Sequence, residues 1–508
     1  MNTKTYLQLV CCHPGVASIC FIALFAMWLG CFTDVVDGAE PKSKLNVLLI
    51  CVDDLKPALG CYGDTHAKTP NLDRLAASGT LFRNAYCNQA VCSPSRNALL
   101  TSLRPQTLGI YDLGTNFRKS RPECVTLPQH FKNAGYRSEG MGKIFHVGHG
   151  NVNDKLSWSV PHWNAKVVGY ALPENKAPSG LTREEALFEN DRSKPIQSLP
   201  KGAAMEKADV DDNRYADGKL ADRAIERLQY ASAHPDEAFF MAIGFVKPHL
   251  PFCAPSRYWE MHDPEQFDLA AIQTAPMGSP DYAPTKWGEL RQYSGIPEKG
   301  SLDEALQRKL IHGYYAATSY MDAQIGKVLE ALEATGLDEN TIVVLWGDHG
   351  WHLGDHGMWC KHSNYEQATR IPLIVRVPGK KPSEVEGLVE TVDIYPTLVE
   401  LASLPSVDGL DGKSFAPAIA QPTLTLRDHI THVFPRGEIL GRAIRTDRYR
   451  LVQWKRIGAE ESSAAWELFD YQVDPLEKEN LYQNAAPELV EMLKRKLSSH
   501  PEAERQIK

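Results

Sequence analysis

Short, nearly continuous apolar runs alternate along the chain with segments whose apolar positions recur at helical spacing. Residues 45–52, Leu-Asn-Val-Leu-Leu-Ile-Cys-Val, form a β-rich run of the kind buried on both faces of a parallel sheet. Residues 71–82 read as a helix, with Leu72, Leu75 and Ala76 on one face and Gly79 near its stop. The alternation repeats with a helix over 127–134 closing at Gly135, a strand over 238–245, and a long helix before Gly336. In that long helix Met321, Ile325, Val328, Leu329 and Leu332 keep helical spacing. A buried-strand run at 341–346, a strand at 371–377 and a helix at 395–402 follow. The pattern predicts an α/β fold: an open sheet flanked by helices, with ligands gathered at the carboxyl ends of its strands.

Two stretches break the pattern. Residues 150–236 are polar, proline-rich and weakly periodic, and predict an insertion that lines the site or covers a sheet edge. Beyond residue 421, strand-like pieces at 442–444, 449–454 and 467–469 precede a helix at 487–497. They predict a small C-terminal α+β subdomain at 421–508, behind a main domain at 43–420. No internal repeat or low-complexity tract interrupts this order.

At 508 residues, with 43% hydrophobic and 23% charged residues, the chain can bury one large core and a smaller one. A net charge of -8 argues against a nucleic-acid or anionic-membrane surface, so any anion must be bound locally. Lys4 precedes an apolar run over 16–32 and a polar stretch follows, which is export-signal architecture. Residues 1–39 are therefore expected to be a signal peptide cleaved near Ala39. The length of the run leaves an uncleaved anchor open, and Leu29-Gly30-Cys31 leaves open a lipoprotein processing site. The absence of any Asn-x-Ser/Thr acceptor suits a bacterial periplasmic or extracellular protein. Four of the 11 cysteines lie in the leader. The remaining Cys51, Cys61, Cys87, Cys92, Cys124, Cys253 and Cys360 are odd in number, so one thiol stays unpaired or is modified.

Candidate chemistry starts at Cys92-Ser93-Pro94-Ser95-Arg96, followed by Asn97-Ala98-Leu99-Leu100-Thr101, the opening of a helix. An isolated cysteine is most often just a buried small side chain. A thiolate phosphatase would place arginine six residues after the cysteine, where this chain has Ala98. Asp53-Asp54 and Asp348-His349 each follow an apolar strand of the same sheet. Either pair alone is an ordinary polar strand end. Converging on one edge, their three carboxylates suit a hard cation such as calcium. Cationic groups come from Gly142-Lys143-Ile144-Phe145-His146, Lys247-Pro248-His249-Leu250-Pro251-Phe252 and Lys361-His362-Ser363-Asn364. Each of these alone is a solvated side chain; together they fit an anion in a charged transition state.

Cys-x-Pro-x-Arg is the pattern by which formylglycine-dependent sulfatases resemble one another, and the chain resembles that family from about residue 46 to 481. Val-Asp-Asp-Leu-Lys-Pro, Gly-Lys-Ile-Phe-His, Lys-Pro-His-Leu-Pro-Phe and Gly-Asp-His-Gly-Trp-His-Leu-Gly-Asp-His-Gly are most similar to the iduronate-2-sulfatase branch. The resemblance implies an alkaline-phosphatase-like sandwich with a large mixed, mostly parallel sheet. It implies that Cys92 becomes formylglycine, whose hydrate offers two hydroxyls, one to attack sulfur and one to expel sulfate. Asp53, Asp54, modified Cys92, Asp348 and His349 would bind one calcium ion, and Arg96 would hold the modified residue. Lys143, His146, His249 and Lys361 would surround the sulfate. His146 would take the proton from the second hydroxyl, and His249 or Lys361 would protonate the departing sugar oxygen. The implied substrate is the 2-O-sulfate of iduronate, a related uronic acid or another sulfated saccharide, and the maturation partner a formylglycine-generating enzyme.

His362 stands where animal members of that branch have tyrosine, residues 150–236 do not align closely, and Trp351 is placed to pack on a sugar. Two other readings stay open. One is a phosphatase or phosphonate hydrolase of the same superfamily, in which His352, Asp355 and His356 help hold a second metal. The other is an inactive, secreted carbohydrate-binding homologue.

Overall fold

In the computed structural model, which describes residues 44–166, 169–176 and 180–503, side chains of the Asn46–Val52 strand alternate between two cores. Val47, Leu49 and Cys51 pack on one face with Leu99, Leu100, Phe131 and Leu398. Leu48, Ile50 and Val52 pack on the other with Leu72, Leu75, Leu228, Met321 and Ile325. This is the two-residue period of a strand buried on both faces, and it makes the sheet the middle layer of a sandwich. The expected leader at 1–39 lies outside the described residues.

Across the eight-stranded sheet the order is Val389–Glu390, Thr80–Tyr86, Arg370–Arg376, Thr341–Gly347, Asn46–Val52, Phe239–Phe245 and Arg137–Gly142, with Ser383–Val385 also beside Thr80–Tyr86. The last four in that order are mutually parallel. Arg370–Arg376 runs antiparallel to both of its neighbours. Two reversals bring Thr80–Tyr86 back into the direction of the parallel four. Five long strands and the short Val389–Glu390, parallel to Thr80–Tyr86, therefore end at the same edge, and the sheet is mixed and mostly parallel, in the α/β class expected.

Helices Cys92–Thr101, Leu127–Asn133 and Ile394–Leu401 cover one face; Pro70–Ser78, Ala216–Ser232 and Glu304–Ala334 cover the other. Two expectations change. The helix read over 71–82 stops at Ser78, and Thr80–Tyr86 is a strand. Residues 150–236 are more than an insertion, because Ala216–Ser232 places Leu220, Ala221, Ala224 and Leu228 in the core.

At the C-terminal end, Ile430–Arg436, Ile439–Arg445, Tyr449–Arg456 and Ala465–Asp470 form an antiparallel meander. Helix Pro487–Ser498 seals one face of it, with Val490, Leu493 and Leu497 against Ile444, Leu451 and Leu468. No helix among the described residues is long and apolar enough to cross a membrane.

Glu366 ties this meander to the large sheet. Its carboxylate takes Arg450 Nη2 at 2.8 Å and Arg445 Nε at 3.3 Å from the meander, and Tyr86 Oη at 2.8 Å from the Thr80–Tyr86 strand. Burial pushes its pKa up, but Arg445, Arg450 and Arg370 together outweigh burial and bring it from 4.5 down to about 2. A depressed carboxylate stabilises the fold fully above the unfolded value and loses that contribution as pH falls through the folded one. The window is thus pH 4.5 down to about 2, with roughly 3 kcal/mol at stake. Glu366→Gln should flatten the fall in urea-unfolding free energy across that window relative to the unsubstituted protein.

Candidate active site

Three of the strands ending at the shared edge deliver a functional side chain there directly, because the backbone ladder continues one residue past each of them. Asp53 N donates to Phe245 O at 3.2 Å, Asp348 N to Val52 O at 3.0 Å and Lys143 N to Gly244 O at 2.8 Å. A Cβ on Gly244 would lie 2.1 Å from Lys143 O, so this close approach requires glycine. The fifth strand, Thr80–Tyr86, leads through residues 87–91 into helix Cys92–Thr101, whose ten residues are all buried. Cys92 opens that helix, where unpaired N–H groups and the helix dipole favour negative charge.

Arg96, one helical turn after Cys92, is completely buried. Its Nε meets Asp348 Oδ2 at 3.0 Å and its Nη2 meets Asp53 Oδ1 at 3.1 Å. Its Nη1 donates to the Lys143 carbonyl, and the neighbouring Ser95 hydroxyl donates to the Asp348 carbonyl. Its guanidinium thus joins two carboxylates and the end of a third strand. Lys143 Nζ pairs with Asp53 Oδ2, and Lys361 Nζ chelates Asp54 at 3.0 and 3.1 Å. Asp54 has left-handed backbone, φ 58°, a strained state for a non-glycine residue. Its N–H donates to Asp348 Oδ1 at 3.0 Å and its carbonyl accepts from Tyr314 Oη at 2.8 Å, which fixes that conformation.

Four residues can present ligand atoms within 4.8 Å of one another in each of two overlapping sets: Asp53, Cys92, Asp348 and His349; and Asp53, Asp54, Cys92 and His249. All five expected ligands appear in these sets, and His249 joins them. His349 Nδ1 faces the Gly350 carbonyl at 3.0 Å, which places the proton there and turns Nε2 toward Cys92 Sγ at 3.4 Å. Burial brings His349 down to about 4, so the ring is neutral at pH 7. Burial, with the charge of Asp53, pushes Asp348 up to about 7. For Asp53 itself burial is outweighed by Lys143 and Arg96, and its carboxyl stays well below the usual range. Crowded oxygen donors strained by mutual repulsion suit a hard divalent cation.

Cys92 is a poor nucleophile as a thiol. Burial, then the Asp53 charge, pushes its pKa well above 9.0 despite the nearby lysines, so little thiolate exists at neutral pH. His146 Nε2 lies 3.1 Å from His149 Nδ1, and His146 Nδ1 is buried without a hydrogen-bond partner. Burial and Lys143 push His146 well below 6.5. His249 Nδ1 faces the Leu250 carbonyl at 2.6 Å. Lys247 is structural, its Nζ bracing the carbonyls of His249 and Pro251 at 2.7 and 2.6 Å.

Sequence reasoning missed Glu289. Its carboxylate lies 3.1 Å from His249 Nε2, 2.9 Å from Lys361 Nζ and 4.0 Å from His362 Nε2. It sits in an aperiodic stretch where no motif marks it. His149 and Phe188 were missed too; Phe188 lies under Lys143 Nζ at 5.0 Å and packs on the rings of His249 and His149. Two expectations fail. Trp351 is 1% exposed and packs beneath Lys361 rather than facing a sugar. His352, Asp355 and His356 do not gather around a second metal: His352 bonds Ser363 Oγ, His356 bonds the Leu476 carbonyl, and Asp355 accepts from Leu353 N. The seven cysteines among the described residues are all free, and Cys92 is the one in the site.

Two family models match the chain: sulfatase over residues 45–404, and the C-terminal region of N-sulphoglucosamine sulphohydrolase over 354–503. Iduronate 2-sulfatase of Mus musculus is 31% identical over 91% of this chain and 96% of its own length. A solved structure in complex with its substrate D-glucosamine-2-N,6-O-disulfate superposes with a TM-score of 0.69 at 21% identity, covering 90% of this chain and 97% of that one. The phosphonate monoester hydrolase of Silicibacter pomeroyi superposes with a TM-score of 0.67 at 21% identity, covering 90% and 94%. These two structures speak to the fold.

Removing the guanidinium leaves Asp348 without a cation and Asp53 with Lys143 alone, and breaking such a buried pair costs about 3–5 kcal/mol. Arg96→Ala should lower the urea midpoint accordingly. Arg96→Lys, which keeps the charge but lacks the fork that spans both carboxylates, should recover only part of the loss.

Proposed function

The chain belongs to the sulfatase family, and we propose that it hydrolyses a sulfate ester on a sugar through a formylglycine made from Cys92, beside one calcium ion. The observation that carries this reading is the convergence of Cys92, three buried carboxylates and the Lys143 and Lys361 ammonium groups on one sheet edge. A buried thiol held neutral by its surroundings cannot serve as the nucleophile. Formylglycine supplies a hydrated aldehyde, whose paired hydroxyls allow attack at sulfur and then release of sulfate. Asp53, Asp54, Asp348 and His349 would hold calcium, which polarises the oxygens bound to it.

The remaining roles belong to the chain's own side chains. Lys143 and Lys361 face the carboxylate cluster from opposite partners, Asp53 and Asp54, and stabilise charge that spreads over sulfate oxygens in the transition state. His146, kept unprotonated by burial and by Lys143, has a free ring nitrogen to accept a hydroxyl proton as sulfate departs. His249 and Lys361 share Glu289, which holds both nitrogens side by side, and either would protonate the departing sugar oxygen. Likeness to an iduronate 2-sulfatase over nearly the whole chain supports a 2-O-sulfated uronic acid as the substrate. Export to a bacterial periplasm or the exterior, and maturation by a formylglycine-generating enzyme, complete the proposal; the leader pattern at 1–39 supports export.

Protein from its native host should show the Cys92 peptide about 18 Da lighter than the cysteine form, the change from thiol to aldehyde. Cys92→Ala should lose about a thousandfold or more in turnover of a 2-O-sulfated uronide while keeping its unfolding midpoint within a few degrees. A calcium chelator should abolish turnover and added calcium should restore it. An unmodified thiol in an actively hydrolysing sample sinks the covalent reading, and so does a large residual rate in the alanine variant.

A further inference from the structure

A cavity of about 500 Å3 opens directly beside the site, and His149 is a wall of both. The short helix Arg183–Phe188 separates the two spaces. Phe188 lies against the site cations on one side, while Leu187 lines the cavity on the other. The frame is rigid and strained. His149 and Asn190 both have left-handed backbone, φ 55° and 56°, which non-glycine residues adopt only where their surroundings hold them there. Here His149 N donates to Leu187 O at 3.0 Å, Gly150 N donates to Asn190 Oδ1 at 2.6 Å, and Asn190 Nδ2 donates to Asn151 O at 2.9 Å. Strain locked by three hydrogen bonds, next to a reaction centre, marks a wall built to hold a fixed shape.

The charge at this cavity is cationic. Arg192 lies so close over Gly150 that a Cβ there would meet its Nη2 at 2.5 Å, and Lys194 lines the same space. Both side chains are exposed; Lys194 interacts electrostatically with Asp191, and Arg192 is in no ion pair among the described residues. The one acid in the lining, Asp191, spends Oδ1 on the N–H of Ser193 at 2.8 Å. A chain with a net charge of -8 repels a polyanionic saccharide in general, and two cations beside its site offset that repulsion locally.

We propose that this cavity is a subsite for a second anionic group of the substrate, a carboxylate or a further sulfate, received by Arg192 and Lys194 while the reacting sulfate ester sits beyond His149. The proposal rests on the sulfatase reading for what occupies the neighbouring site. It makes the sulfated saccharide at least doubly anionic. It also assigns its selection to residues 148–150, just after His146, and to 183–194. Arginine forms bidentate, charge-assisted bonds to either oxyanion, with lysine as a point charge beside it.

Calorimetric titration of the full-length Cys92→Ala protein tests this without turnover. Three probes are used: a disaccharide carrying one sulfate and one uronate carboxylate, its carboxyl-reduced analogue carrying two sulfates, and a carboxyl-reduced analogue with a single sulfate. Adding Arg192→Ala and Lys194→Ala should weaken a doubly anionic probe about tenfold or more, the loss of a hydrogen bond to a charged group. The singly sulfated probe should change less than about twofold. Weakening confined to the first probe identifies the carboxylate as the ligand, and weakening confined to the second identifies the sulfate. Equal weakening of all three probes, no weakening of any, or no binding of any probe overturns the subsite. Failure of the cysteine-containing protein to hydrolyse any sulfate ester counts instead against the catalytic reading, because these titrations are independent of it.

Discussion

The guanidinium of Arg96, wholly removed from water, joins the ends of three strands to the first turn of the helix that begins with Cys92. Desolvating that charge is expensive and is offset only because Asp53, Asp348 and the Lys143 carbonyl are all in place. Those partners are in turn fixed by the sheet register, which continues through the N–H groups of Asp53, Lys143 and Asp348. Sheet edge, helix start and charge network are therefore one structure. A shift of any strand by one residue would turn its carboxylate to the opposite face and leave the arginine unpaired.

Charge balance explains why such a cluster suits a cation and an anionic ester together. Counting formal charges, four buried carboxylates, Asp53, Asp54, Asp348 and Glu289, face three buried cations, Arg96, Lys143 and Lys361. His146, His149 and His349 are neutral at pH 7, since burial pushes all three below 6.5. Among these seven side chains, negative charge exceeds positive by one. On the proposed reading a divalent ion brings the set to one positive charge, and a monoanionic sulfate ester then neutralises it. Burial first, and then the charge of Asp53, raises the pKa of Asp348 within this cluster.

How much of this was legible in the sequence depended on whether a feature is local. The runs at 45–52, 238–245 and 341–346 are apolar throughout because those strands are buried on both faces, and their polar successors gave away the site. Strand Thr80–Tyr86 was hidden because Arg83 and Asn84 interrupt it, at the point where the pairing with Arg370–Arg376 is irregular. Strand Ile430–Arg436 was hidden by Pro435, which an edge strand tolerates. Arg137–Gly142 is barely apolar; its glycines make room for Trp158 and for the Gly244 backbone instead. Among site residues, the motifs marked those whose spacing is fixed by a strand end or helix start. Glu289 and His149 act through tertiary contacts from loops and carry no periodic signal. His352 and His356 misled for the converse reason, since metal-like spacing says nothing about the serine and carbonyl that actually engage them.

The two kinds of residue also differ in how freely they can change. A member of the buried cluster cannot be exchanged without leaving a charge unpaired in a low-dielectric interior, so the reaction centre has little room to adapt to a new sugar. The segment around helix Arg183–Phe188 has no such constraint on its outer face. The helix is anchored by its own capping box between Thr182 and Glu185 and by Phe188 against the site, while Arg192 and Lys194 project from the chain beyond it. Substitutions there cost little in stability yet line a space that shares His149 with the site. Selectivity for the saccharide is thus most easily built into the stretch that the sequence pattern marked only as irregular, and chemistry into the strand ends that it marked most clearly.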